Sequence, residues 1–504
     1  MAEDLKLSES DGGRLYLPDE PLWTWLSGQA QQNKSNEALV ALHQSSDHLS
    51  SLLKERRSST SAKHFAWAYE ELLEAVENLA AIWYSKGVKP GDSVFTFVNN
   101  SAEWAVFLWT SVRLRLTFVP LDPSVLRRDD EIRTLISTFS PAVVLVSSAE
   151  DAGIYDRFGG QEKLKVINDP SAQGLEAWLQ CSGLVAQGLH SAPHPFAEPE
   201  RTALVMLTSG TSNRPKICPV TERGMVAQIS QYHLFQNSCW DAGSRMLVNT
   251  KCYRPICWLG SLCAWQRGGT LVLVPVFDPE VCLDAIVSQQ CTHTWFVPAH
   301  LNMIAAVAGP TKRRPSTLKF VLVSGDTASG DTLTKAERAL QPRRLVFHWG
   351  MSEGAPLFGF ENHDSEPDWG EGRRGLGYPI QGTRVRVCAP GTNSPVPRGE
   401  NGELHVSSAS VIHRYLGETG NQAFHEDDSG RWFITGDVAS MDSAGIISVT
   451  GRTKDIIKCS GAVLVPSILE DFLNASYKVQ VCILGAPKPD RRANSSTVAC
   501  CRYQ

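Results

Sequence analysis

No apolar run in this chain approaches the roughly 20 residues that a helix needs to cross a bilayer, so no membrane span is expected. Its first residues lack the basic, apolar, small-residue order of a secretory signal. A broad basic stretch is missing too: 48 Lys and Arg stand against 53 Asp and Glu. The short clusters Arg127-Arg128 and Lys312-Arg313-Arg314 read as solvated surface, the first offset by Asp129, Asp130 and Glu131. Nucleic acid is therefore not expected as a partner. The 13 cysteines are scattered, and Cys252, Cys257 and Cys263 lack the paired spacing of a zinc site. Reduced thiols are expected, not a disulfide framework. There is no internal repeat, no low-complexity tract and no G-x-x-x-x-G-K phosphate loop. No lipidation or address motif appears, and the cytoplasm is the expected compartment, with the peroxisome left open.

What is present is an alternation of helix and strand on a scale that allows two or three domains. Tyr69 to Lys86 carries Leu72, Leu73, Val76, Leu79, Ala80, Ile82 and Trp83 at helical spacing. Gly87 to Asp92 punctuates the pattern, Ser93 to Val98 reads as a strand, and a helix (Ala102 to Leu114) and a strand (Thr117 to Pro120) follow. Pro141 to Val146 is apolar on both faces, as a buried parallel strand is. After a Gly-, Pro-, Ser- and Ala-rich connection at 160–201, strands recur at Ala203–Leu207, Gly269–Val274, His293–Val297, Leu318–Val323 and Arg344–Phe347. From Gly375 to Asp437 the texture turns to short alternating strands, such as Arg384–Val387 and Gly402–Val406. The tail around Cys500-Cys501 looks irregular.

The expected fold is α/β: a large domain of two doubly wound sheets plus a small β-barrel, then a partial small α+β domain. Residues 1–20 read as a polar leader, 21–451 as the large domain (barrel-like part about 375–437) and 452–504 as the small one. In open parallel sheets, ligands bind outside the carboxyl ends of the strands. Thr208-Ser209-Gly210-Thr211-Ser212-Asn213-Arg214-Pro215-Lys216 lies at such an end. Its backbone N–H groups and hydroxyls suit phosphate oxygens, and Lys216 adds a positive charge. Trp349-Gly350-Met351-Ser352-Glu353 lies at another strand end, and Thr435-Gly436-Asp437 with Gly451-Arg452 follows the texture change.

In this order and spacing the three segments resemble the ATP-dependent adenylate-forming enzymes: acyl- and aryl-CoA ligases, firefly-luciferase-like proteins and peptide-synthetase adenylation domains. The resemblance runs from about Phe65 to Pro489. It implies that Trp349 stacks on adenine with Gly350 beside it, that Ser352 faces phosphate and that Glu353 binds Mg²⁺. By the same likeness Asp437 and Arg452 hold the ribose, Lys454 is a domain hinge, and Lys458 belongs to the segment after it. Arg254, Ser324 and Gly325 fall where relatives line the acyl pocket. His233, His293 and His300 read as structural histidines. Asn213 and Ile217 depart from the family loop, which carries Gly at both places. The terminal Pro-x-x-x-x-Gly-Lys motif of the family is missing, which reads as a truncated small domain. The implied chemistry is ATP-dependent activation of a small-molecule carboxylic acid to an acyl-adenylate, followed by transfer to coenzyme A or to a carrier protein. A nucleotide-binding remnant stands as the alternative.

Overall fold

A computed structural model of the chain describes residues 6–54, 63–169, 177–185, 188–208, 215–235, 240–308, 315–325, 328, 330–354, 358–359, 375–417, 420–459, 462–464, 466, 469–470, 473, 480–487 and 496–503. Two seven-stranded sheets carry the bulk of the chain. In the first, the neighbouring strands Thr202–Thr208, Thr117–Pro120, Ser93–Phe97, Val143–Val146, Leu164–Ile167 and Leu179–Gln180 run parallel. Lys216–Thr221 closes its edge antiparallel. In the second, Arg344–Phe347, Phe320–Val323, His293–Phe296, Arg245–Val248, Thr270–Leu273 and Glu37–Ala41 are parallel, and Phe65–Ala68 is the antiparallel edge. The central strands are buried on every residue. That double burial is why they read as continuous apolar runs and not as alternating ones.

Helices join the two sheets. Ala102–Leu114 is buried at every position and touches both Glu37–Ala41 of one sheet and Thr117–Pro120 of the other. Its predominantly apolar surface needs cover on every side, and both sheets supply it. Its Trp109 meets Trp23 edge-on at 6.0 Å and Trp265 at 5.6 Å, each from a different helix. Two charges go inside with it. Arg113 donates to Glu77 and to the carbonyls of Ala192 and Pro193. Glu103, fully buried, accepts both N–H bonds of Gln44 (2.8 and 3.0 Å) and pairs with His48.

Burial alone would raise the Glu103 pKa, but the bonds from His48 and Gln44 outweigh it and hold the carboxyl below its ordinary value. Burial likewise opposes charging of His48, and Glu103 overrides it upward. The depressed Glu103 contributes stability above its unfolded pKa that is lost on acidification. The raised His48 contributes stability below its unfolded pKa that is lost as pH rises through the folded value. Glu103→Ala strands both partners and is expected to cost about 3 kcal/mol, read as a lower urea midpoint at pH 6.

The third sheet is eight-stranded and antiparallel, built from Glu9–Asp11, Thr383–Cys388, Asn401–Ser408, Gly430–Met441, Ile447–Arg452, Gly375–Pro379 and Phe358–Gly359, with Phe424–Asp427 beside Gly430–Met441. It curls into an open half-barrel where the short alternating strands led to the expectation of a small β-barrel, and Thr383–Cys388 shows the alternation directly in its burial. Glu9–Asp11, inside the segment read as a polar leader, is its edge strand and pairs with Arg384 to Arg386. The tail differs from the irregular chain expected. Ser496–Tyr503 pairs antiparallel with Gln480–Pro487 over eight residues, setting Cys500 opposite Ile483 and Cys501 opposite Cys482. The β-favouring run Thr497-Val498 and Tyr503 gives it strand character, and the pairing satisfies one side of Gln480–Pro487. No described helix is long and apolar enough to cross a membrane.

Candidate active site

Thr208 ends its strand and Lys216 begins the next, the two lying opposite each other in the ladder. The candidate phosphate loop is thus the connection of a hairpin. Ser209, Gly210, Thr211 and Ser212, with Asn213, lie outside the described residues. Lys216 Nζ sits 4.6 Å from the ring centroid of Tyr415. A Cβ on Gly420 would stand 2.9 Å from Lys216 Cε and Nζ, and its φ of +91° is one that glycine adopts freely, so this position is left open for the lysine. The Tyr415 hydroxyl donates to Glu353 Oε1 at 2.5 Å. One aromatic side chain therefore lies between the loop lysine and the carboxylate of the second motif.

The backbone stitches the same residues together. Ile412 N–H donates to the Glu353 carbonyl at 2.8 Å, and Leu416 N–H to the Ile217 carbonyl at 3.0 Å. Gly354 lets the chain approach, since a Cβ there would be 2.8 Å from the Ser410 carbonyl oxygen. Gly350 and Ser352 lie partly buried in the turn that carries Glu353.

Beside this group lies a second one. Asp437 is 3% exposed, and its carboxylate accepts from Trp349 Nε1 at 3.1 Å and pairs with Arg452 Nε at 2.7 Å. The two residues are cross-strand neighbours in the third sheet. Burial pushes the Asp437 pKa up to about 6; Arg452 and the Trp349 bond pull against it, and the Glu353 charge adds to it. Arg452 in turn acts on Tyr415, so the two groups share one electrostatic site. The Trp349 ring rests on Phe358 at 5.4 Å.

The remaining candidates are more dispersed. Ser324 is buried at the end of Phe320–Val323, donating its N–H to the Phe296 carbonyl, and Gly325 follows with φ +95°. Arg254 is exposed just before helix Pro255–Gln266, its guanidinium 6.0 Å from the Tyr253 ring. Among the described residues, no hydrogen bond or ion pair ties it to Glu353 or Asp437. Lys454 is exposed in the turn Thr453–Asp455. Lys458 has its backbone opposite Val463, and its side chain lies outside the described residues. His293 stacks on Trp240 at 4.0 Å, His300 on Phe277 at 3.7 Å, and His233 meets the Cys263 carbonyl at 3.2 Å. Burial drives the pKa of His233 and His293 down to about 3, so neither carries charge at neutral pH.

Residues 29–416 match the AMP-binding enzyme family. The chain belongs to that family. An acyl-CoA ligase of Pestalotiopsis microspora is 27% identical over 492 residues, 93% of this chain and 84% of the relative. A feruloyl-CoA synthase of an Amycolatopsis species is 28% identical over 441 residues, covering 86% and 83%. Among solved structures, ATP-bound MatB from Rhodopseudomonas palustris superposes with TM-score 0.77 at 19% identity, covering 96% of this chain and 88% of that one. An anthranilate CoA ligase in complex with anthranoyl-AMP gives 0.79 at 16% identity, covering 96% and 87%. These likenesses show the adenylate-forming fold.

For this AMP-binding enzyme the donor set fits a nucleotide-borne Mg²⁺. No described group of three or more His, Cys, Asp or Glu side chains is placed to hold a metal, whereas Glu353 offers a half-buried carboxylate beside Lys216 and Tyr415. Mg²⁺ is commonly held by one or two carboxylates plus substrate phosphates. Sequence reasoning missed Tyr415. Nothing in periodicity marks it, and long-range contacts such as Leu416–Ile217 and Ile412–Glu353 bring it to the site.

Proposed function

We propose that the chain joins a carboxylic acid to the α-phosphate of ATP, releases pyrophosphate, and passes the acyl group to the thiol of coenzyme A. The observation that carries this reading is the convergence of Lys216 and Glu353, each beside the carboxyl end of a parallel strand, with Asp437 from the antiparallel sheet. Lys216 supplies positive charge next to the loop that starts at Thr208. Ser352 supplies a hydroxyl in the same turn as Glu353. Asp437, oriented by Arg452 and Trp349, accepts hydrogen bonds from the ribose hydroxyls, and the Trp349 ring flanks the base. Mg²⁺ bound at Glu353 would neutralise phosphate charge as it develops. Lys454 at residue 454 is the proposed pivot between residues 21–451 and 452–504, where Lys458 is carried, and a hinge there requires only backbone rotation. Arg254, Ser324 and Gly325 are the proposed edge of the acid pocket.

The test is ATP–pyrophosphate exchange with Mg²⁺ across fatty, aryl and amino acids, followed by chromatography for a CoA thioester. Aryl acids come first, because relatives named for ferulate and anthranilate share the fold. Exchange with one acid class and a matching thioester is the expected result. Folded protein that binds ATP and exchanges with no acid overturns the reaction, and exchange without thioester overturns coenzyme A as the acceptor.

A further inference from the structure

We propose that Tyr415 is a positioning residue that fixes which oxygen of Glu353 is offered to a divalent cation and holds Lys216 at a set place beside it. The inference rests on the reading of Glu353 and Lys216 given above and assigns a role to a residue that the motifs do not contain. A free carboxylate presents two equivalent oxygens and rotates between them. Here the Tyr415 hydroxyl occupies Oε1 at 2.5 Å, and among the described residues Oε2 has no hydrogen bond or ion pair. The carboxylate thus offers one oxygen in one direction, which suits a cation that demands near-ideal octahedral geometry.

Tyr415 is itself held rigidly. It is 2% exposed, packs edge-on against Phe424 at 5.5 Å and Phe433 at 6.4 Å, and donates its backbone N–H to Asn421 Oδ1 at 2.9 Å. A tyrosine phenol ionises only at about pH 10, so its hydroxyl is a donor at neutral pH. The face of the same ring receives Lys216 at 4.6 Å, within range of a cation–π contact. A single locked side chain therefore sets the distance between the site's cation and its anion. That pre-organisation is the kind of support a metal-bearing carboxylate needs.

Tyr415→Phe keeps the ring, its packing and the lysine contact and removes only the hydroxyl. The Mg²⁺ concentration giving half-maximal exchange is expected to rise about tenfold, the size of effect associated with a hydrogen bond to a charged group. The KM for ATP at saturating Mg²⁺ is expected to move less than about threefold, because ribose and base contacts are untouched. A second readout needs no turnover. Mn²⁺ binding to the protein with α,β-methylene-ATP, followed by water-proton relaxation, is expected to weaken by the same factor. Tyr415→Leu, which also removes the ring under Lys216, is expected to lower kcat further.

In Glu353→Gln, adding Tyr415→Phe is expected to change Mn²⁺ affinity no further, since the two residues act through one interaction. An unchanged Mn²⁺ dissociation constant in Tyr415→Phe with wild-type melting overturns the proposal, as does additivity with Glu353→Gln. If the wild-type chain exchanges with no acid, the reaction reading fails while the Mn²⁺ measurement still decides on Tyr415. If Mn²⁺ does not bind the wild-type protein with nucleotide at all, the positioning role falls.

Discussion

Glu353→Gln is expected to lower ATP–pyrophosphate exchange by about a hundredfold to a thousandfold at saturating Mg²⁺, the range found when a group acting on transition-state charge is removed. The substitution conserves volume and leaves an amide oxygen to accept the Tyr415 hydroxyl, so the turn that carries it keeps its backbone bond to Ile412. What disappears is negative charge next to Lys216 and Asp437. No other described carboxylate contacts Tyr415 or Lys216, and Asp437 faces Arg452 and Trp349 instead. The loss should fall on kcat and on Mg²⁺ dependence more than on ATP binding without metal. Melting temperature checks the fold, and it is expected to stay close to wild type because the side chain is only half-buried. A folded variant that retains about a third of the exchange rate would show that Glu353 is not the metal-bearing group.

Asp437→Asn carries the second large effect. A buried carboxylate that accepts from two hydroxyls binds them with charge-assisted bonds, about twice as strong as neutral ones. Its neutral replacement is expected to raise the KM for ATP by about tenfold to a hundredfold. Burial has moved the Asp437 pKa from 3.8 to about 6. The charged form therefore fills only above that pH, and the wild-type KM for ATP should climb as pH falls through 6. The Asn variant has no group titrating there and should lose that limb of the profile.

The stability sign runs the other way. A folded-state pKa above the unfolded value means that the folded chain binds the extra proton between 3.8 and about 6. Stability from this group is full below that window and lost as pH rises through it. The order of magnitude is about 3 kcal/mol at neutral pH. Asp437→Asn is accordingly expected to melt no lower than wild type at pH 7.5, while binding ATP more weakly. A fall in melting temperature at that pH together with an unchanged KM would make Asp437 a structural residue.

The parallel sheets were legible because their strands are buried on both faces and appear as short apolar runs ending in Gly, Ser or Pro. Helix Ala102–Leu114 has the bounds expected from the sequence, and in the structure Ser101 caps its first turn and Arg115 leaves it in a left-handed conformation. The change to alternating strands after Gly375 marked the half-barrel, because an antiparallel sheet with one wet face imposes a period of two. Long-range pairings left no such trace. Glu9–Asp11 joins a strand that begins at Thr383, and Ser496–Tyr503 pairs where an irregular tail was expected. Apolar periodicity tells which face of an element is buried and is silent about the element it is buried against.

The same division holds at the site. By itself the sequence determined the chemistry on offer: a hydroxyl-rich loop with Lys216, a carboxylate at Glu353, and the pair Asp437 and Arg452, each at the end or junction of an element. Tertiary structure alone decided their orientation. It turned the Trp349 indole N–H onto Asp437, which lies 88 residues further along the chain. It placed Tyr415 between Lys216 and Glu353, and it buried the Glu103 carboxylate against Gln44 and His48. Side-chain chemistry belongs to each residue. Direction and pKa belong to what surrounds it, and that is set only when distant strands pack.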